Sequence, residues 1–356
     1  MSNSIKTLLL MSLAIGTSTT LLSFHWLLAW IGLEMNTLAI IPLMSSTHHP
    51  RAYEATIKYF LTQATASALL LFSTLMHAWF FGEWAITTMQ HLTAAPISIA
   101  IAMKLGLAPL HFWLPEVTQG LPLMMGLILM TWQKIAPMAL LIQISQSSSL
   151  FLMITLSITS MLIGGWGGIN QTHLRKLMAF SSITHLGWMT MIIKFNPQLT
   201  TFNFILYIII TSTFFMFLIT HNATKISQLP PTWFKTPAYA LSSALIILSL
   251  GGLPPLTGFS MKLIPCLELI KQSVPTLAAL ALTFSLLPLF FYIRLLYNIA
   301  STMPPLPPSP QSNWRSTLTK PMPTPSMNTI SILLLPATPT ILMLISQLPT
   351  MNTMIM

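Results

Sequence analysis

Apolar residues run through this chain in stretches of about 20, each enough to cross a hydrocarbon core about 30 Å thick at 1.5 Å per residue. About eleven such stretches follow one another, at 5–22, 25–44, 55–81, 94–119, 121–142, 150–169, 174–193, 202–220, 238–269, 276–298 and 330–345. The polar residues gather in the short segments between them. The pattern predicts an all-α polytopic membrane protein of about eleven transmembrane helices, forming a single membrane domain over 1–356.

Two of the stretches are interrupted. The fourth contains AMKLGLAPLHFWLPE, with Lys104 followed by Gly106 and Pro109. Proline lacks an N–H and crowds the carbonyl four residues back, so backbone groups are freed beside the lysine. Freed backbone at membrane depth is tolerated where it lines a protein-enclosed wet cavity. The ninth stretch is interrupted by GGLPPLTG, with Lys262 shortly after. The breaks lie five spans apart, and five is odd, so a repeat of five helices returns upside down. This predicts two inverted halves, 1–142 and 150–298, followed by a Pro-rich segment at 300–328 and a last span at 330–345. Paired interrupted helices in two halves point to a transport site, although Gly and Pro are also commoner in ordinary membrane helices.

Composition agrees with the pattern. Hydrophobic residues make up 54% of the 356 and charged residues 6%, whereas soluble chains carry about 25% charged. The formal charge is +10, but the basic residues are scattered and form no stripe, so nucleic acid is not an expected partner. Acids occur only at Glu34, Glu54, Glu83, Glu116 and Glu268, and Cys266 is the one cysteine. A lone cysteine excludes a disulfide framework and an all-cysteine iron–sulfur ligand set. No metal site is expected. No small-residue cleavage pattern follows Lys6, so the first span is expected to be retained. Lys6, Arg51, Arg175, Lys176, Lys225, Lys235, Arg315 and Lys320 fall on one face and little beyond Lys194 and Lys271 on the other. The positive-inside rule then puts the N-terminus inside and the C-terminus outside. The Pro-rich segment lies on the inner face, either as a plain connector or as a docking element.

Four ionisable residues fall at mid-membrane depth: Glu34, Lys104, Lys134 and Lys262. A charge at that depth costs about 3 kcal/mol or more. Burial lowers a lysine's pKa and a nearby carboxylate raises it, so Glu34 near Lys104 would make a switchable proton-exchanging pair. Each could instead be a static ion pair. Snorkelling suits Lys6, Lys58, Lys194 and Lys271 near span ends. His185, at mid-span, reads equally as a proton relay or a hydrogen-bonded core histidine, and His111 is similar. Glu54 and Lys58 stand four apart, as an ion-paired helix face requires. Haem is disfavoured, because His77 and His91 flank Gly82 and do not share a span. No Gly-rich phosphate loop follows a strand. The aromatic residues read as packing or lipid-facing, with Trp26, Trp30 and Trp84 suited to interface belts.

The stretches MKLGLAPLHFWLPEV, TWQKIAPM, LMAFSSITHLGWM and LSLGGLPPLTGF stand in this order along the chain. In that set the chain resembles the mitochondrially encoded second membrane subunits of NADH:ubiquinone oxidoreductase, respiratory complex I. The likeness covers essentially the whole length and is weakest from Ala300 onward. It implies an antiporter-like fold, shortened by three N-terminal helices, that translocates protons while redox chemistry proceeds in other subunits. It also implies proton-transfer roles for Glu34 in GLEMN, the broken-helix Lys104, the central Lys134, His185 of the seventh span, and Lys262 after the second break. Relatives often carry Pro directly before that last lysine, where this chain has Met261.

The resemblance implies no cofactor in this chain, with NADH, FMN, iron–sulfur clusters and ubiquinone held elsewhere in the complex. It implies a hetero-oligomer with other membrane-arm subunits and phospholipids as partners, in the mitochondrial inner membrane, with the N-terminus in the matrix and the C-terminus in the intermembrane space. Two rivals remain. A stand-alone cation/proton antiporter would exchange ions by itself in liposomes. A non-transporting spacer would tolerate neutral replacement of all four central charges.

Overall fold

The computed structural model describes residues 3–232 and 237–300, together with 328, 329, 331, 332, 336 and 338. The Pro-rich segment expected at 300–328 and the last span expected at 330–345 therefore lie almost wholly outside the described residues, as do Lys235, Arg315 and Lys320. The helices are α1 (Asn3–Leu22), α2 (Trp26–Ser45), α3 (Pro50–Phe81), α4 (His91–Leu105), α5 (Trp113–Gly120), α6 (Leu123–Met130), α7 (Trp132–Gln143), α8 (Leu150–Ile169), α9 (Leu174–Ile192), α10 (Pro197–His221), α11 (Pro237–Gly251), α12 (Thr257–Lys271), α13 (Pro275–Phe284) and α14 (Leu286–Ala300). No strand occurs among the described residues, only two isolated bridges.

Seven helical stretches are long and apolar enough to cross a membrane: α1, α2, α3, α6–α7, α8, α10 and α13–α14. The three other spans are α9 and the interrupted pairs α4–α5 and α11–α12. Lower apolarity in α9 has a physical reason. Every residue from 177 to 192 except Phe180 is buried, so this helix meets protein instead of lipid and can carry Ser181, Ser182, Thr184 and His185.

Both expected breaks are present and are built alike. Gly106 (φ +78) ends α4 and Gly252 (φ +77) follows α11, each in the left-handed region that glycine enters without penalty. The residue after each glycine donates its N–H to the carbonyl five back, Leu107 to Ala102 and Leu253 to Leu248, which closes the helix end. Two further spans, expected to be unbroken, are kinked. The fifth is divided at Thr131 and the tenth at Ser285. Pro288 removes the N–H that would have bonded to Phe284, which accounts for the second. Trp26, expected in an interface belt, is instead 1% exposed and buried in the core, because α1 and α3 close over the α2 face that carries it.

Loops expected on the same face do meet. His25 bridges Ala85, with Trp26 N–H donating to Trp84 O and Ile86 N–H to Phe24 O. At the other end of the helices His173 bridges Lys225, with Leu174 N–H donating to Thr224 O and Ile226 N–H to Thr172 O. The imidazolium form of His173 is disfavoured, first by desolvation and then by Lys225, Arg175, Lys176 and Arg51, which places four cations around this loop pair. Helix crossings match as well. A Cβ on Gly16 of α1 would lie 3.0 Å from Gly32 O of α2, and one on Gly164 of α8 would lie 3.1 Å from Phe180 O of α9. Small residues let these backbones approach closely in the membrane.

Candidate functional site

The five expected proton-transfer residues come from five different spans. Glu34 lies on α2, Lys104 in the last turn of α4, Lys134 in the first turn of α7, His185 near the middle of α9 and Lys262 on α12. Lys104, Lys134 and His185 are buried.

Lys104 Nζ stands 3.8 Å from Glu34 Oε1, so the expected pair forms. The separation is that of an ion pair too long for a hydrogen bond. Thr37 donates to the other carboxylate oxygen at 3.2 Å. The ammonium also sits at the carbonyl end of α4, where the helix dipole favours a cation. Trp113 Nε1 donates to Met103 O and holds the far side of the break.

From Lys104 a small cavity of about 20 Å³ runs to Lys134, lined by Asn36, Thr37, Tyr59, Gln63 and Gln133 among others. Asn36 Oδ1, Gln63 Nε2 and Gln133 Nε2 are buried without a protein hydrogen-bond partner. A cavity needs about 10–15 Å³ and two to four polar partners to hold a water, and this one supplies both.

Lys134 has no carboxylate beside it. Its Nζ donates to Tyr207 Oη at 3.2 Å and lies 5.2 Å from the centre of that ring. Among the described residues the ion pairs are Glu54–Lys58, Lys58–Glu116 and Glu34–Lys104. The Tyr207 ring lies 5.9 Å from that of His185. His185 Nε2 then meets Tyr292 Oη at 3.4 Å. A second cavity, about 10 Å³, is lined by His185, Lys262, Thr184, Ser285 and Tyr292.

Lys262 Nζ donates to Gly251 O at 2.6 Å. Thus both broken spans place an ammonium at the carbonyl end of their first half-helix. Lys104 comes from that half-helix, and Lys262 reaches back from the second. Gly252 lets it do so, since a Cβ there would lie 2.8 Å from Lys262 Cδ. Met261, where the resemblance led a proline to be expected, is buried, and α12 runs continuously past it with Pro265 inside.

Tyr207 and Tyr292 were not singled out by the sequence, where an aromatic residue in an apolar span reads as packing. Their buried hydroxyls, each set against an ionisable side chain, distinguish them. His111 is buried in the first break against Phe112 and Phe180 and lines neither cavity of the axis. Lys58 and Glu54 pair at 2.6 Å as their spacing required, and Glu116 joins them at 2.7 Å. Lys194, expected to snorkel, donates to Ser148 O at 2.5 Å. No group of metal-binding side chains occurs among the described residues.

Comparison with known proteins gives the same outline. A family profile described as NADH:quinone oxidoreductase/Mrp antiporter, TM, matches residues 23–288, and one described as NADH dehydrogenase subunit 2 C-terminus matches 289–342. The chain is 59% identical to the NADH-ubiquinone oxidoreductase chain 2 of Aquarana catesbeiana, over 95% of this chain and 98% of that one. It is 52% identical to the protein of that name from Gallus gallus, over 95% and 98%. In fold it is similar to a chain of respiratory complex I from Thermus thermophilus with bound aureothin, at TM-score 0.83 and 24% identity, covering 95% of this chain and 79% of that one. A chain of the Mrp complex from Dietzia is similar at TM-score 0.80 and 16% identity, over 95% and 76%.

Proposed function

The chain belongs to the NADH:quinone oxidoreductase/Mrp antiporter family, among the NADH-ubiquinone oxidoreductase chain 2 proteins, and from that membership we propose that it carries protons along the line Glu34, Lys104, Lys134, His185 and Lys262. It is a multi-pass membrane subunit of respiratory complex I, part of an NADH:ubiquinone oxidoreductase. Oxidation of NADH and reduction of ubiquinone take place in other subunits, and this chain binds none of their cofactors. Its neighbours are membrane-arm subunits and phospholipids of the mitochondrial inner membrane. The N-terminus faces the matrix and the C-terminus the intermembrane space.

One observation carries the reading. Two water-sized cavities and two tyrosine hydroxyls fill the intervals between buried amines drawn from opposite ends of the chain. Lys134 and Lys262 face neutral partners, so either can lose a proton without leaving an unpaired carboxylate behind. Movement of Glu34 relative to Lys104 would set the charge at one end of the line, and redox-driven motion elsewhere in the complex would drive it.

The two halves, 1–142 and 150–298, are inverted repeats. The identical loop clasps at His25–Ala85 and His173–Lys225, the matched Gly16 and Gly164 crossings and the paired breaks at Gly106 and Gly252 support that relation. Inversion puts equivalent half-helices on opposite sides of one axis, as alternating uptake and release require.

Lys134→Met in the assembled complex tests the path. Proton yield per NADH oxidised should fall, and an undiminished yield would refute a required role for Lys134.

A further inference from the structure

Between Lys134 and His185 the path passes through a single side chain. Helix α6 ends at Met130 and α7 begins at Trp132. In an unbroken helix the Lys134 N–H would bond to the carbonyl four back, that of Met130. Here it donates to Thr131 O at 3.3 Å, so the Met130 carbonyl is released. Tyr207 donates its hydroxyl to that carbonyl at 3.2 Å, while accepting from Lys134 Nζ at 3.2 Å. The phenol thus receives from a potential proton donor and points its own proton at a backbone oxygen that can pass nothing on.

We propose that Tyr207 is the proton-relay residue between Lys134 and His185, and that its hydroxyl is a switch with an off position on the Met130 carbonyl. The inference rests on the path proposed above. Rotation about the ring–oxygen bond turns the hydroxyl away from Met130 towards α9. There the His185 ring is centred 5.9 Å from its own.

The transfer is balanced. An N–H bond of the Lys134 ammonium breaks as an O–H bond forms on Tyr207, and the original Tyr207 O–H breaks as its proton passes to the His185 imidazole. Lys134 is left neutral, His185 becomes imidazolium, and the phenol is unchanged. An ordinary phenol has a pKa of about 10, so it conducts by gaining one proton as it loses another and never carries a charge. Tyr292, at 3.4 Å from His185 Nε2, receives the proton on the far side, next to the cavity that holds Lys262. The kink at Thr131 therefore supplies the resting acceptor that keeps the relay closed.

The test is Tyr207→Phe in the assembled complex, reconstituted into liposomes, with proton yield per NADH normalised to the amount of intact complex. Phenylalanine keeps the ring against His185 and Phe204 and removes only the hydroxyl. The yield should drop as far as it does in Lys134→Met, and the solvent deuterium isotope effect on proton release should shrink with it. A wild-type yield in Tyr207→Phe beside a reduced yield in Lys134→Met overturns the relay and leaves the path standing. Wild-type yields in both overturn the path itself. Should Tyr207→Phe fail to assemble, Tyr207→His decides. Its ring offers an exchangeable proton, so retained coupling supports the relay and lost coupling overturns it.

Discussion

Lys104 Nζ lies 3.8 Å from Glu34 Oε1, with the lysine side chain 2% exposed and the glutamate side chain 24% exposed. The two partners therefore differ in what their loss leaves behind. Glu34→Gln strands an ammonium that is almost fully enclosed by protein, at a cost of about 3 kcal/mol. Lys104→Met strands a carboxylate that is less enclosed and keeps the Thr37 hydroxyl as a donor, so its cost should be smaller. Thermal unfolding of the assembled complex should show the larger loss for Glu34→Gln. Equal shifts, or the reverse order, would mean that the pair does not hold its charge as described.

Gly252 and Gly106 share a left-handed conformation but guard different things. An alanine at either costs about 1–2 kcal/mol for the backbone alone. At Gly252 the new methyl also meets Lys262 Cδ at 2.8 Å and Cε at 2.9 Å, whereas at Gly106 it meets Leu114 Cδ1 at 2.7 Å. Gly252→Ala should displace the ammonium from Gly251 O and lower proton yield beyond its effect on stability. Gly106→Ala should lower stability with a smaller effect on yield per intact complex. Parallel losses of yield in the two variants would show that Lys262 is not held through Gly252.

Close helix crossing at Gly164 is needed to keep α9 in the middle of the protein. A side chain there would press on Thr184 Cγ2, 2.7 Å from the Cβ position, and on the Phe180 carbonyl. Gly164→Leu should separate α8 from α9 and reduce the amount of assembled complex severalfold, measured on native gels. Leu162, two residues earlier, is exposed and marks the outward side of that helix. Normal assembly of Gly164→Leu would contradict the packing.

Much of this was legible in the residues. Apolar run length located ten spans, because a hydrocarbon core sets one length for all of them. Gly-x-x-Pro after Lys104 and GGLPP before Lys262 located the breaks, because few other residues interrupt a membrane helix. The Glu34–Lys104 pair followed from the cost of isolated charges at that depth. The kink at Thr131 was not legible, since a threonine in a membrane helix usually leaves it straight; here its hydroxyl bonds Leu127 O, and the freed Met130 carbonyl takes the Tyr207 hydroxyl of another helix. Tyr207 and Tyr292 were missed for the same reason: what separates them from packing aromatics is who stands opposite, and that is tertiary. Trp26 was misplaced because an amphipathic ring suits an interface, and only packing shows that this one is covered.

Ordered water bears most directly on the hydrated axis. A high-resolution map of the assembled complex should show at least one water bonded to Asn36, Gln63 or Gln133 between Lys104 and Lys134, and another between His185 and Lys262. Two gaps closed by apolar side chains in every captured state would contradict a proton path through these residues.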